Sequence, residues 1–154
     1  MKSLLLPILP KMVDRILSGK QRYLFRRTQP RQPFTRVLCA VKEPMPTVVL
    51  ELLTGTIHVE TLNEMHRLFY RFSGMFPTEW AAYWFDAKEG VAIEIQNAVL
   101  VPPSKHFNPV QYYRLNQFPQ NYCYVPAPTW PLGHPYTRAH AEQDSLFNTT
   151  EGAA

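Results

Sequence analysis

Apolar and polar residues alternate over several short stretches of this 154-residue chain, a pattern typical of β-strands. The pattern predicts strands over residues 21–27 and 91–101, and the apolar run over residues 36–42 predicts a strand central to a sheet. The apolar run over residues 48–60 predicts one or two further strands, with a break near Gly55. These strands are numerous enough for one sheet in a single domain, which agrees with the length of the chain.

Apolar residues at helical spacing predict three short helices between these strands. The first covers residues 10–18, begins at a proline and stops at Gly19. The second follows Thr61, whose hydroxyl forms a capping box with Glu64, and the third starts at Pro77. Fifteen prolines against six glycines predict that much of the remaining chain runs as edges, turns and extended connections.

Composition indicates one domain over residues 1–126, followed by a proline-rich tail over residues 127–154 that we expect to be flexible. The first ten residues are largely apolar, but Pro7 and Pro10 interrupt them and no cleavage site follows, which argues against a signal peptide. No run of 18 apolar residues predicts a membrane span. The two cysteines lie far apart and are expected to be free thiols, so we predict a cytoplasmic protein.

Positive charge is concentrated at the start of the chain. The first 42 residues hold ten basic residues and one acidic residue, a net charge of +9. The other residues hold six basic and eleven acidic ones, a net charge of −5, which gives the +4 of the whole chain. Such an asymmetry favours an anionic partner on one side of the domain, although a solvated cationic surface would give the same pattern.

Three stretches of sequence resemble the ASCH domain family of the PUA-like superfamily. They read ILSGKQRYLFRR at residues 16–27, AIEIQNAVLVPP at 92–103 and FPQNYCYVP at 118–126, in the order in which the family has them. The resemblance covers residues 1–126. It implies an α+β fold, a PUA-like mixed and mostly antiparallel β-barrel flanked by short helices. It also implies a cleft beside the first helix, where members are thought to bind RNA or modified bases.

The resemblance is incomplete at positions that carry chemistry. Gly19, Lys20 and Arg26 fit the family pattern. Gln21 stands where lysine is often found, and Leu24 stands where the family has glutamate, or threonine in its amidohydrolase members. Leucine cannot act as a nucleophile, acid or base, so the hydrolase activity of those members is not expected here and catalysis is left uncertain.

The basic first third of the chain also carries aromatic residues, a combination that suits nucleic acid. Guanidinium groups match phosphate oxygens, aromatic faces stack on unpaired bases, and amides read base edges. The residues that we predict to bind nucleic acid are Lys20, Arg22, Tyr23, Arg26, Arg27, Arg31, Arg36, Gln120 and Tyr122. We therefore predict a nucleic-acid-binding module, RNA preferred, that grips phosphates with a basic cleft beside the first helix and needs no cofactor.

Two other functions stay open. The first is a hydrolase of RNA or nucleosides, such as a ribonuclease using Lys20 and Tyr23. The second is a protein-interaction module that uses the tail around Trp130. The five histidines have no metal-ligand spacing, so we expect no metal site.

Overall fold

The computed structural model describes residues 2–128, which form a mixed β-sheet and short helices. The strands in this part of the chain are β1 (Lys2–Pro7), β2 (Tyr23–Arg26), β3 (Phe34–Val41), β4 (Thr47–Glu60), β5 (Gly90–Leu100) and β6 (Cys123–Pro126). The helices are α1 (Pro10–Leu17), α2 (Leu62–Phe69), α3 (Pro77–Tyr83) and α4 (Pro109–Tyr112). Single 3-10 turns lie at Tyr70–Phe72 and Pro103–Lys105. The predicted tail, including Trp130, lies almost wholly outside the described residues.

All six strands join one sheet in the order β2-β5-β4-β3-β1-β6. Neighbouring strands are antiparallel except β1 and β3, which are parallel. The predicted α+β class and mostly antiparallel pairing are therefore confirmed. No strand pairing joins β2 to β6 within residues 2–128, so the sheet is open there and the predicted barrel closure is not confirmed.

The N-terminal apolar run, over which no strand is predicted from the sequence, forms β1. It lies between β3 and β6, and Leu4, Leu5 and Leu6 are at most 1% exposed. A strand that is covered on both faces does not alternate apolar with polar residues. The alternation that identified β2 and β5 was therefore missing here.

The predicted break near Gly55 is a local irregularity rather than an end of the strand. β4 is continuous from Thr47 to Glu60, and its pairing with β5 shifts register on either side of Thr54. Such a bulge bends a strand and increases its twist.

The sheet is covered on both faces, and β2 shows how. Leu24 points into a core with Ile16 of α1 and with Leu4, whereas Phe25 points the other way. Phe25 packs with apolar residues of α2 and α3, including Trp80. The short strand β2 therefore has α1 on one side and α3 on the other.

No helix among the described residues is long and apolar enough to cross a membrane.

Candidate functional site

A cavity of about 570 Å³ opens beside α1 and is the strongest candidate for a ligand site. Its volume lies within the range of small-molecule and nucleotide sites. The apolar part of its wall consists of Pro7, Ile8, Leu9, Pro10, Met12, Phe25, Val41, Met75, Phe118 and Pro119. The polar part consists of Lys11, Arg15, Gln21, Arg26, Lys42, Glu43, Glu79, Tyr83 and Gln120. We call it the α1 cavity.

Gln21 reaches the α1 cavity because the chain turns sharply after α1. Gly19 ends the helix at a φ of +82°, a left-handed conformation that glycine adopts without strain. The Gln21 backbone N–H then donates to the carbonyl of Arg15 at 3.0 Å, and its side chain is fully buried. The side-chain Nε2 donates to the carbonyl of Tyr23 at 2.9 Å, while Oε1 has no hydrogen-bond partner among residues 2–128.

Arg26 enters the same cavity from the end of β2. Its Nε is buried and has no hydrogen-bond partner in the described part of the chain. The neighbouring hydroxyl of Tyr83 donates to the carbonyl of Phe25. Burial raises the pKa of Tyr83, and the positive charge of Arg26 opposes that rise. Two residues that line the α1 cavity thus carry one buried acceptor and one buried donor without a hydrogen-bond partner among residues 2–128.

A bidentate ion pair forms one wall of the α1 cavity and connects α1 to α3. Arg15 Nη1 and Nη2 donate to the two carboxylate oxygens of Glu79, each at 2.8 Å, and Lys11 Nζ lies 3.4 Å from the same carboxylate. The hydrogen bonds from Arg15 lower the pKa of Glu79 to about 2. Glu79 stays ionised and neutralises Arg15, which leaves Arg26 and Lys42 as the more available cations of this cavity.

The predicted nucleic-acid residues do not meet in one place. Arg26 and Gln120 line the α1 cavity. Arg27, Arg31 and Tyr122 line a second, more open cleft of about 920 Å³. Residues 27–32, Glu89, Tyr122 and Tyr124 form its walls, and we call it the loop cleft.

The remaining predicted residues lie outside both spaces. Lys20 and Arg22 are exposed on the turn after α1, and the Arg22 guanidinium lies 5.6 Å from the centre of the Phe72 ring. Tyr23 is half-buried against Phe69, with ring centres 4.7 Å apart. These three residues border α1 and α2 and line neither the α1 cavity nor the loop cleft.

The side chain of Arg36 is engaged within the sheet. Its guanidinium forms a salt bridge with Glu51 on the neighbouring strand, and that carboxylate is only 1% exposed. A guanidinium engaged in this way is poorly placed to meet a phosphate.

Several residues of the α1 cavity were missed by sequence reasoning. Gln21 was noticed only as a departure from the family pattern, although a polar residue between a helix stop and an apolar strand was a usable signal. Arg15, Glu79 and Tyr83 gave no such signal, because α1 and α3 are distant in sequence and meet only through the fold.

The structure offers little support for hydrolytic chemistry at the family position. Leu24 is 1% exposed and packs in the core on the α1 side of the sheet, and it does not line the α1 cavity. Within residues 2–128 no three His, Cys, Asp or Glu side chains gather in a way that could hold a metal ion.

Comparison with known proteins gives matches among solved structures. No family model and no curated protein matches the chain. The matching structures are crystal structures of ZmASCH from Zymomonas mobilis. A variant with tyrosine replaced by phenylalanine gives a TM-score of 0.70 at 18% identity, over 81% of this chain and 91% of that one. A serine-to-alanine variant gives 0.69 at 19%, over 80% and 88%. The unsubstituted protein gives 0.66 at 18%, over 80% and 87%. At these identities the likeness establishes a shared fold.

Proposed function

We propose that this chain, which has an ASCH-like fold, is a nucleic-acid-binding module that receives one unpaired base in the α1 cavity, with RNA preferred. One observation carries the proposal. Gln21 and Arg26 line the same cavity, and Gln21 Oε1 and Arg26 Nε are buried without a hydrogen-bond partner among the described residues.

Unmade hydrogen bonds at buried groups have a cost that argues for a ligand. Leaving a buried donor or acceptor unpaired costs about 1–3 kcal/mol, so folded proteins contain few of them. Two such groups of opposite kind in one cavity are accounted for if a bound molecule supplies the complementary acceptor and donor. A base edge carries both kinds of group within one ring system.

The hydrogen bond to Tyr23 fixes which end of the Gln21 amide is available. One of the two Nε2 donors is engaged, and the acceptor Oε1 has no partner among the described residues, which suits the amino group of cytosine or adenine. Arg26 Nε is a donor and suits a ring nitrogen or carbonyl of the same base. The rings of Phe25 and Phe118 belong to the apolar wall, against which the faces of a base can pack.

The charges around the α1 cavity support an anionic ligand. Lys42 lines the cavity and has no ion-pair partner in the described residues, and Lys20 is exposed on the turn that leads to Gln21. A base can enter only when it is not paired, and single-stranded RNA offers such bases in loops and at ends. The ASCH-like fold supports this function by analogy alone.

The test is fluorescence anisotropy with labelled single-stranded RNA, duplex RNA and single-stranded DNA across a salt series. We expect single-stranded RNA to bind best, and Arg26→Ala to weaken binding by roughly tenfold, since it removes one charge and one hydrogen bond. Arg67→Ala is the matched control, because it removes the same charge from the exposed Glu64 pair on α2. Gel analysis of the same samples should show intact probe.

Two results would contradict the proposal. One is the absence of binding to every probe at low salt. The other is an equal loss of affinity in Arg26→Ala and Arg67→Ala, since it would mean that net charge alone governs binding. Cleavage of the probe that disappears in Arg26→Ala would replace the binding function with a ribonuclease.

A further inference from the structure

The loop cleft is formed in part by the same segments of chain as the α1 cavity. Two segments of chain contribute to both spaces: Arg26 lines the cavity while Arg27 lines the cleft, and Gln120 lines the cavity while Tyr122 lines the cleft. Arg26 and Arg27 are consecutive, with Cα atoms about 3.8 Å apart, and one residue separates Gln120 from Tyr122, so the two spaces share two stretches of chain. A ligand that fills the cavity and continues outward along these segments would enter the cleft.

From this arrangement we infer that the loop cleft is a second nucleotide subsite, which holds the phosphate, ribose and base next to the one in the α1 cavity. The inference rests on the proposed function and narrows it. The ligand is a single-stranded oligonucleotide rather than a free nucleoside or mononucleotide.

Two guanidinium groups in the loop cleft suit a phosphodiester. Arg31 is exposed and forms no hydrogen bond or ion pair with residues 2–128. Arg27 donates from Nη2 to the carbonyl of Phe85 at 2.8 Å, which positions the group while its other N–H donors remain available. Arginine forks of this kind bind phosphate oxygens through two parallel hydrogen bonds.

Two tyrosines provide a preformed wall for a base. The Tyr124 hydroxyl accepts from the backbone N–H of Gln32 at 2.9 Å and donates to the carbonyl of the same residue at 3.3 Å. These bonds connect the loop to β6. The ring of Tyr122 is perpendicular to that of Tyr124, with centres 6.0 Å apart. Stacking of a base on such a ring contributes about 1–3 kcal/mol and tolerates any base.

Glu89 is the one acidic residue among the described walls of the loop cleft, and it favours ribose over deoxyribose in the ligand. A carboxylate repels phosphate but accepts a hydrogen bond from a ribose 2′-hydroxyl, a group that DNA lacks. Two cations and one carboxylate around one cleft therefore match a ribonucleotide better than a deoxyribonucleotide.

The inference is tested by competition against a fluorescent RNA octamer, with a nucleoside monophosphate and unlabelled octamers as competitors. On the native chain we expect the RNA octamer to bind at least tenfold more tightly than the monophosphate. Arg31→Ala and Tyr122→Leu should each weaken the octamer about three- to tenfold and leave the monophosphate unchanged. Arg31→Ala should also reduce the log–log salt slope by about 0.7. Glu89→Ala should reduce the preference for the RNA octamer over its DNA counterpart.

The controls separate this inference from the proposed function. Arg26→Ala should weaken the octamer and the monophosphate together, because it alters the α1 cavity, and Arg67→Ala should weaken neither by more than twofold. If the monophosphate binds as tightly as the octamer, or if Arg31→Ala and Tyr122→Leu leave the octamer unaffected, the second subsite is refuted and the α1 cavity is retained. If neither ligand binds the native chain, both proposals fall.

Discussion

The side-chain Nε2 of Gln21 donates a 2.9 Å hydrogen bond to the backbone carbonyl of Tyr23, at the point where the chain leaves α1 and enters β2. This bond uses one donor of a fully buried amide whose acceptor, Oε1, has no hydrogen-bond partner among the described residues. A group so arranged contributes little to the stability of the protein without its ligand. It therefore suits a role in recognition.

The first prediction is that Gln21→Met weakens RNA binding while it leaves the stability of the folded protein nearly unchanged. Methionine has similar length and no polar group that needs a partner. The variant loses the bond to Tyr23, which costs about 1 kcal/mol, but no longer buries an unpaired oxygen, whose removal returns a similar amount. We expect the urea-derived free energy of unfolding to change by less than about 1 kcal/mol, while RNA affinity falls about tenfold or more.

Gln21→Ala is the control for shape in that experiment. It removes the same polar group but leaves a cavity, so it should cost more stability than Gln21→Met and lose a similar amount of binding. Unchanged RNA affinity in Gln21→Met would show that the amide has a purely structural role.

Much of the fold could be predicted from local patterns, because those patterns have local causes. The stop at Gly19 and the cap at Thr61 appear in the structure where the sequence predicted them. At Thr61 the hydroxyl accepts from the backbone N–H of Glu64 at 3.3 Å. β1 was missed because its short apolar run has no alternation and is interrupted by prolines, so the sequence does not distinguish a buried strand there from other apolar segments.

The candidate site was less predictable, because it depends on contacts between distant segments. Arg26 was selected for its charge and its match to a family position, and it does line the α1 cavity. Arg36 was selected on charge alone, but a single sequence does not reveal that Glu51 on the next strand pairs with it. Charge counts therefore identified the basic region without separating ligand-facing arginines from structural ones.

The second prediction concerns acid stability and the Arg15–Glu79 pair. The folded-state pKa of Glu79 is about 2, below its ordinary value of 4.5. The pair therefore stabilises the folded protein above pH 4.5, and that contribution is lost as the pH falls from 4.5 to about 2. Glu79→Gln should lower the free energy of unfolding by about 1–2 kcal/mol at pH 7 and flatten its decline in this pH range.

Urea denaturation from pH 7 to pH 2 measures both effects. Glu64→Gln is the matched control, since Glu64 forms an exposed pair with Arg67 within α2 and should change stability little. Parallel pH profiles for the native chain and Glu79→Gln would disprove the assignment of this acid dependence to Glu79.

The third prediction concerns the contact between α3 and the edge strand β2. The Tyr83 hydroxyl donates to the carbonyl of Phe25, next to Arg26. Tyr83→Phe removes one hydrogen bond and should cost about 1 kcal/mol. Because this bond steadies the end of β2 at the α1 cavity, RNA affinity should also fall by about two- to fivefold.

Tyr112→Phe is the control for loss of a hydroxyl, since Tyr112 is 53% exposed and lies in α4. Thermal unfolding and anisotropy would be measured on both variants. Equal behaviour of the two variants would mean that the contact with Phe25 contributes nothing to the cavity.

The fourth prediction separates a structural role for Arg36 from the binding role that its charge had suggested. Arg36 is a salt-bridge partner of Glu51, whose carboxylate is 1% exposed. Removing one member of a buried pair costs about 3–5 kcal/mol, whereas replacing both by apolar residues is often neutral. We therefore expect Arg36→Leu to lower the free energy of unfolding by about 3–5 kcal/mol, and the double variant with Glu51→Leu to recover most of it.

Urea denaturation of the two single variants and the double variant gives the coupling energy between Arg36 and Glu51. Anisotropy on the double variant then tests function separately from stability. If the double variant is folded and binds RNA like the native chain, Arg36 acts through the fold. If Arg36→Leu is as stable as the native chain but loses RNA affinity, Arg36 contacts the nucleic acid and its pair with Glu51 does not contribute to the free energy of unfolding.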